Sequence, residues 1–162
     1  MLSKCYSYMT TAIYLNFNGV AERAFHYYKD VFNGEFVGEV SRFGDIANQE
    51  LSFPERIKHI ELKLPDNMLL IGSDLPENWP YPFQVGNNVF VQLRPKDKFQ
   101  ALDWFERLSK DGRVFQKMQA AAWGSYYGSC RDSFGCCWMI DFPLMNLNNG
   151  LNNVQPSMPL AG

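Results

Sequence analysis

The hydropathy pattern of this chain runs through one order of elements twice. Residues 12–17 alternate, with Ile13, Leu15 and Phe17 set against Ala12, Tyr14 and Asn16, the period of two of a half-buried strand. Asn18-Gly19 breaks the alternation, and over residues 20–32 the period becomes helical. Val20, Ala21, Ala24, Phe25, Tyr28, Val31 and Phe32 share one face, while Glu22, Arg23, Lys29 and Asp30 lie largely on the other. Asn33-Gly34 supplies a left-handed stop. Strand patterns follow at 35–43, 59–64 and 68–71, separated by a polar loop through Pro54 and a turn at Asp66-Asn67. A loop with prolines and Trp79 spans 75–86, and then the order returns. Residues 89–93 read as a strand, and 95–110 as a helix with Phe99, Leu102, Phe105 and Leu108 as its buried stripe. Asp111-Gly112 ends that helix, and 113–118, 125–131 and 137–142 read as three strands. Two β-α-β-β-β units in tandem define an α+β chain with an internal repeat, despite little residue identity between the halves. A ferredoxin-like unit, the nearest imitation, has one strand fewer.

At 162 residues the chain is long enough for one domain with a real core. We expect a single domain over 1–143, with modules at about 12–74 and 88–142, and a tail over 144–162. The tail carries Asn146, Asn148, Asn149, Asn152, Asn153, Pro156 and Pro159, a composition that cannot bury a core of its own. The net charge is −2, and acids and bases interleave, as in Arg94, Lys96, Asp97 and Lys98. That is a solvated mixed surface, which argues against nucleic acid as a partner. Cys5, Cys130, Cys136 and Cys137 form no CxxC pair, and neighbours on a strand point to opposite faces. They read as packed, reduced thiols. The first residues, MLSKCYSYMTT, lack the apolar run of a signal peptide, and no stretch approaches the roughly 18 apolar residues of a membrane span. The expected location is the cytoplasm, with no membrane partner.

Several segments, taken in order, resemble one family. Tyr14-Leu15-Asn16-Phe17-Asn18-Gly19, Ala21-Glu22-Arg23-Ala24 and Tyr27-Tyr28-Lys29-Asp30-Val31-Phe32-Asn33-Gly34 open the match. It continues at His59 and its strand, at Met68-Leu69-Leu70-Ile71-Gly72-Ser73-Asp74 and at Trp123-Gly124, and closes with Asp132-Ser133-Phe134-Gly135-Cys136-Cys137-Trp138-Met139-Ile140. Over about residues 12–142 the chain resembles the PhnB-like branch of the vicinal-oxygen-chelate (glyoxalase/bleomycin-resistance/dioxygenase) proteins, often labelled 3-demethylubiquinone methyltransferase-like. The resemblance implies an open, curved eight-stranded arrangement with helices outside, a cleft inside and frequent homodimers. In metal-dependent relatives, His, Glu or Gln side chains from four strands hold a divalent ion that acts as a Lewis acid.

Carried over position by position, that ligand set is poor here. The first position falls at or beside Ala12 or Tyr14; the second falls within 71–74, where only Asp74 can coordinate. The third falls within 89–92, with Gln92 as a weak candidate, and the fourth is Met139, whose thioether suits hard ions badly. A catalytic site ordinarily needs three good protein ligands. We therefore expect no metal and no other cofactor. No GxSxG elbow, P-loop or GxGxxG is present, and the methyltransferase label finds no glycine-rich cofactor loop to support it.

The expectation is a small-molecule-binding protein with an aromatic-lined cleft; the alternative is an enzyme of the same superfamily, metal-dependent or using His59 and Glu61 as a metal-free acid/base pair. His59 and Glu61 alternate with Ile60 and Leu62, so they face the cleft if the apolar side faces the helix; a structural pair fits equally. Tyr14 and Asn16 share the inward side of the first strand by the same reasoning, as ligand donors or as buried groups with internal partners. Asp74, Phe90, Gln92, Trp123, Tyr127 and Met139 complete the candidate ligand-binding set. Trp123 and Tyr127 border Gly124 and Gly128, a pattern that suits either a loop stacking on a flat ligand or ordinary core. Asp132 to Gly135 reads as turn chemistry, and His26 as a helix-surface residue.

Overall fold

The computed structural model describes residues 11–45 and 51–144. Its elements run β1 (Ala12–Phe17), α1 (Ala21–Phe32), β2 (Glu35–Phe36), β3 (Ser41–Arg42), β4 (Ile57–Lys63), β5 (Leu69–Asp74), β6 (Val91–Leu93), α2 (Lys98–Ser109), β7 (Arg113–Ala120), β8 (Ser125–Arg131) and β9 (Cys137–Pro143). The chain divides into two compact units, Met1–Gly86 and Asn87–Gly162, each with its own mixed sheet and helix. The α+β class and the tandem modules are as expected. The tail beyond Leu144 lies outside the described residues.

In the first unit the strand order is β1-β5-β4-β2, with β3 on β4. β1 and β5 run parallel and the other pairs antiparallel. The strand expected over 35–43 is broken into β2 and β3, which pair different stretches of β4. Gly38, at φ 70, sits in the break, because a left-handed residue interrupts a strand. Helix α1 covers one face of the sheet with Ala21, Ala24, Phe25, Tyr28, Val31 and Phe32, all buried as their spacing predicts. Phe25 meets Phe17 and Tyr28 edge-on at 6.2 and 6.0 Å. Full burial of such a side chain contributes about 1.5–3 kcal/mol. The helix ends at Asn33, in the left-handed conformation (φ 53).

In the second unit the order is β6-β9-β8-β7, with β6 and β9 parallel. Asp97 caps α2 by accepting from the Gln100 backbone N–H at 2.7 Å. The buried stripe of α2 departs from expectation. It is Ala101, Trp104 and Leu108, while Phe99 is 82 % exposed and Leu102 also faces outward. Phe99, Leu102, Phe105 and Leu108 keep a helical spacing, but Ala101 and Trp104 define the stripe that meets the sheet, rotated about one residue around the axis. Cys130 and Cys137 are buried and Cys136 is half-buried, while Cys5 lies outside the described residues; burial pushes the Cys130 thiol up to about 12, so it stays neutral at physiological pH. No described helix is long and apolar enough to cross a membrane.

Candidate functional site

Each sheet has one face under its helix and one open face, and strand parity decides what each presents. In the first unit the helix side is marked by Gly72, where an added Cβ would stand 2.4 Å from the Phe25 ring. Its row is Leu15, Gly72 and Ile60. The next row, on the open face, is Tyr14, Ile71 and Glu61, and the one beyond it pairs Asn16 with Ser73. Ser73 donates its hydroxyl to Asn16 Oδ1 at 3.3 Å. His59 Nε2 and Glu61 Oε1 lie 2.8 Å apart on the same face of β4. The open face thus gathers four expected residues, Tyr14, Asn16, His59 and Glu61, and adds Ser73 and Ile71. A His–Glu pair at hydrogen-bond distance can hold or pass a proton.

Asp74 does not join them. It lies on the helix side with Gly72 and is 3 % exposed. Oδ1 accepts from the Ala21 N–H at 3.1 Å and Oδ2 from the Ile57 N–H at 3.0 Å. Val20 offers α1 no side-chain cap, so Asp74 provides one from a distant strand. It borders a cavity of about 420 Å³ shared with Asn18, Arg23, Phe53 and Arg56, but its oxygens already serve the backbone. It therefore stands apart from Tyr14, Asn16, His59 and Glu61, on the other face of the sheet.

In the second unit Gly128 and Cys130 face α2, and Tyr127 and Ser129 face the open side. Across β9 their partners are Asp141 and Met139, and Met139 is in turn opposite Gln92 on β6. Gln92 Nε2 donates to Asp141 Oδ2 at 3.1 Å, which confirms that these side chains share a face. Phe90, two residues before Gln92, meets the ring of Phe115 on β7 at 5.8 Å. Trp123, on the turn before β8, packs edge-on against Tyr127 at 5.4 Å and is 67 % exposed. Gln92, Tyr127 and Met139 therefore share one face of the sheet; Trp123 touches it through Tyr127, and Phe90 reaches Phe115. Sequence reasoning missed Ser129 and Asp141. Asp141 lies two residues beyond Met139, so parity on β9 was the available signal.

The resemblance puts the family's metal ligands at or beside Ala12 or Tyr14, within 71–74, within 89–92 and at Met139; on the open faces these stretches present Tyr14 opposite Ile71 and Gln92 opposite Met139, while Asp74 is turned to the helix side. Of the four open-face side chains only the Gln92 amide oxygen is an ordinary ligand for a hard divalent ion, fewer than the three that a catalytic site needs. Among the described residues, no three His, Cys, Asp or Glu side chains are grouped to hold one.

Two β-α-β-β-β modules, each closing its sheet with a parallel pair between its first and last strands, define the glyoxalase/bleomycin-resistance class of fold, and this chain has that fold. It is similar to protein PA1353 from Pseudomonas aeruginosa at 25 % identity and a TM-score of 0.75, over 84 % of this chain and 98 % of that one. A PhnB protein from Bacillus cereus shares the fold at 18 % identity and TM-score 0.69, over 83 % and 99 %. A glyoxylase/bleomycin resistance protein/dioxygenase domain from Frankia sp. EAN1pec shares it at 11 % and 0.57, over 84 % and 98 %. No family model matches the sequence, and no curated protein does.

Proposed function

We propose that this chain binds a small organic molecule directly, without a metal ion, on the open faces of its sheets. One observation carries the reading: where the resemblance puts the metal ligands, the open faces present Tyr14 with Ile71 and Gln92 with Met139, and Asp74 is turned away to two backbone N–H groups. The second unit's face supports it with apolar Met139 and aromatic Tyr127 beside a few placed polar groups, Gln92, Ser129 and Asp141. That mixture of apolar contact and sparse hydrogen-bonding groups is what small-molecule sites present.

The test is elemental analysis of the purified protein together with thermal melts in Mn²⁺, Fe²⁺, Ni²⁺ and Zn²⁺. The expected result is substoichiometric metal and an unchanged melting temperature with each ion. A stoichiometric metal, or stabilisation by one ion, overturns the reading, because an ion bound to the native state alone must raise its stability.

A further inference from the structure

Asp141 is a carboxylate on the second unit's open face that is 8 % exposed. Oδ2 accepts from Gln92 and lies 3.7 Å from Arg94 Nε. Oδ1 is buried with no hydrogen-bond partner among the described residues. Folded chains seldom leave such an oxygen unanswered, since a buried acceptor without a donor costs free energy. Arg94 does not answer it: its side chain is largely exposed, it approaches the other oxygen, and loose pairs of that kind contribute little. Directly across the register stands Tyr127, whose ring packs against exposed Trp123. An unanswered carboxylate oxygen, with an aromatic residue across the register and a second ring packed on that one, is a set of acceptors suited to an organic cation. The N–H bonds to the oxygen, and the ring quadrupoles attract the positive charge.

We infer that the molecule bound on this face carries a protonated amine, received by Asp141 Oδ1 alongside the Trp123–Tyr127 ring pair. This rests on the small-molecule reading above and adds the chemical class of the ligand. Because Oδ1 is covered, binding includes a side-chain shift, which Trp123 is placed to report by fluorescence.

The experiment titrates the full chain with three matched probes: benzylammonium, benzyl alcohol and benzoate. Amide NMR shifts over 123–129 and 137–143 locate each, and tryptophan fluorescence gives its affinity. The expected order is benzylammonium about tenfold or more tighter than benzyl alcohol, with benzoate weakest. Asp141→Asn should bring the cation down to the affinity that the alcohol has for the same variant. Equal binding of all three on this face overturns the cation inference while the small-molecule reading stands; so does an unchanged preference in Asp141→Asn, or the result that an internal water alone satisfies Oδ1. No shift from any probe overturns both. Should Asp141→Asn fail to fold, Trp123→Ala replaces an exposed side chain instead. In it the cation's advantage over the alcohol should shrink several-fold, and an undiminished advantage overturns the inference.

Discussion

Two aspartates hold the architecture: Asp74, expected among the ligand-binding residues, and Asp132, expected in a turn. Asp74 joins the start of α1 to the start of β4 through two backbone N–H groups. Asp132 accepts from the Phe134 and Cys136 N–H groups at 2.9 Å and from Trp138 Nε1 at 2.7 Å, which fixes the turn before β9 and anchors a buried ring. The turn at Asp132 was legible from its Asp-Ser-Phe-Gly pattern, but the bond to the indole was not, because no local rule names a partner six residues away. Asp74 could have been assigned by parity with Leu70 and Gly72. A third acid makes a pH prediction. Arg42 donates to Glu22 Oε2 at 3.1 Å and to Oε1 at 2.6 Å, and this hydrogen bonding, against a smaller desolvation effect, holds the Glu22 carboxyl below its ordinary value. A lowered carboxyl contributes stability above its unfolded pKa, and the contribution fades as pH falls through the lowered value. Glu22→Gln should therefore be less stable than the natural chain at pH 7 by less than about 1 kcal/mol, since the pair is largely solvated. The gap should close as the buffer is acidified below the ordinary carboxylate range. Urea midpoints across pH check this; a gap that widens in acid contradicts it.

At the scale of elements, α1 was fully legible and α2 was not. Every residue placed on the α1 stripe is buried except Val20, which precedes the helix and is half-buried. In α2 aromatic residues point both inward and outward, so hydropathy alone admits two stripes, and only the sheet beneath selects Trp104 over Phe99. Gly72 lets the Phe25 ring of α1 come close to β5. A methyl there would press on Phe25 Cε2 at 2.4 Å and Cζ at 2.7 Å, with the Leu15 carbonyl at 3.0 Å behind it. Gly72→Ala should cost about 1–3 kcal/mol through overpacking. Far-UV circular dichroism melts would show it as a lowered transition, and a neutral result would mean that α1 can slide away from β5 without penalty. On the same sheet, the alternation in β1 and β4 correctly assigned Tyr14, Asn16, His59 and Glu61 to one face. The register that sets Tyr14 and Glu61 on either side of Ile71 needed the folded sheet.

At the scale of the whole molecule, the resemblance implies a homodimer, and light scattering is expected to report twice the 18.7 kDa chain mass; a monomer would remove that expectation. The sequence alone determined the α+β class and the tandem β-α-β-β-β repeat. Periodicity and residue chemistry are local properties, and each can be read within a dozen residues. Tertiary structure decided the break of the second strand into β2 and β3, the inward face of α2, and the two backbone N–H groups that Asp74 joins. It also decided the arrival of Asp141 beside Tyr127 with one oxygen unanswered. These depend on strand register, and register is settled by which side chains bury best across neighbouring strands, a comparison between residues far apart in the chain.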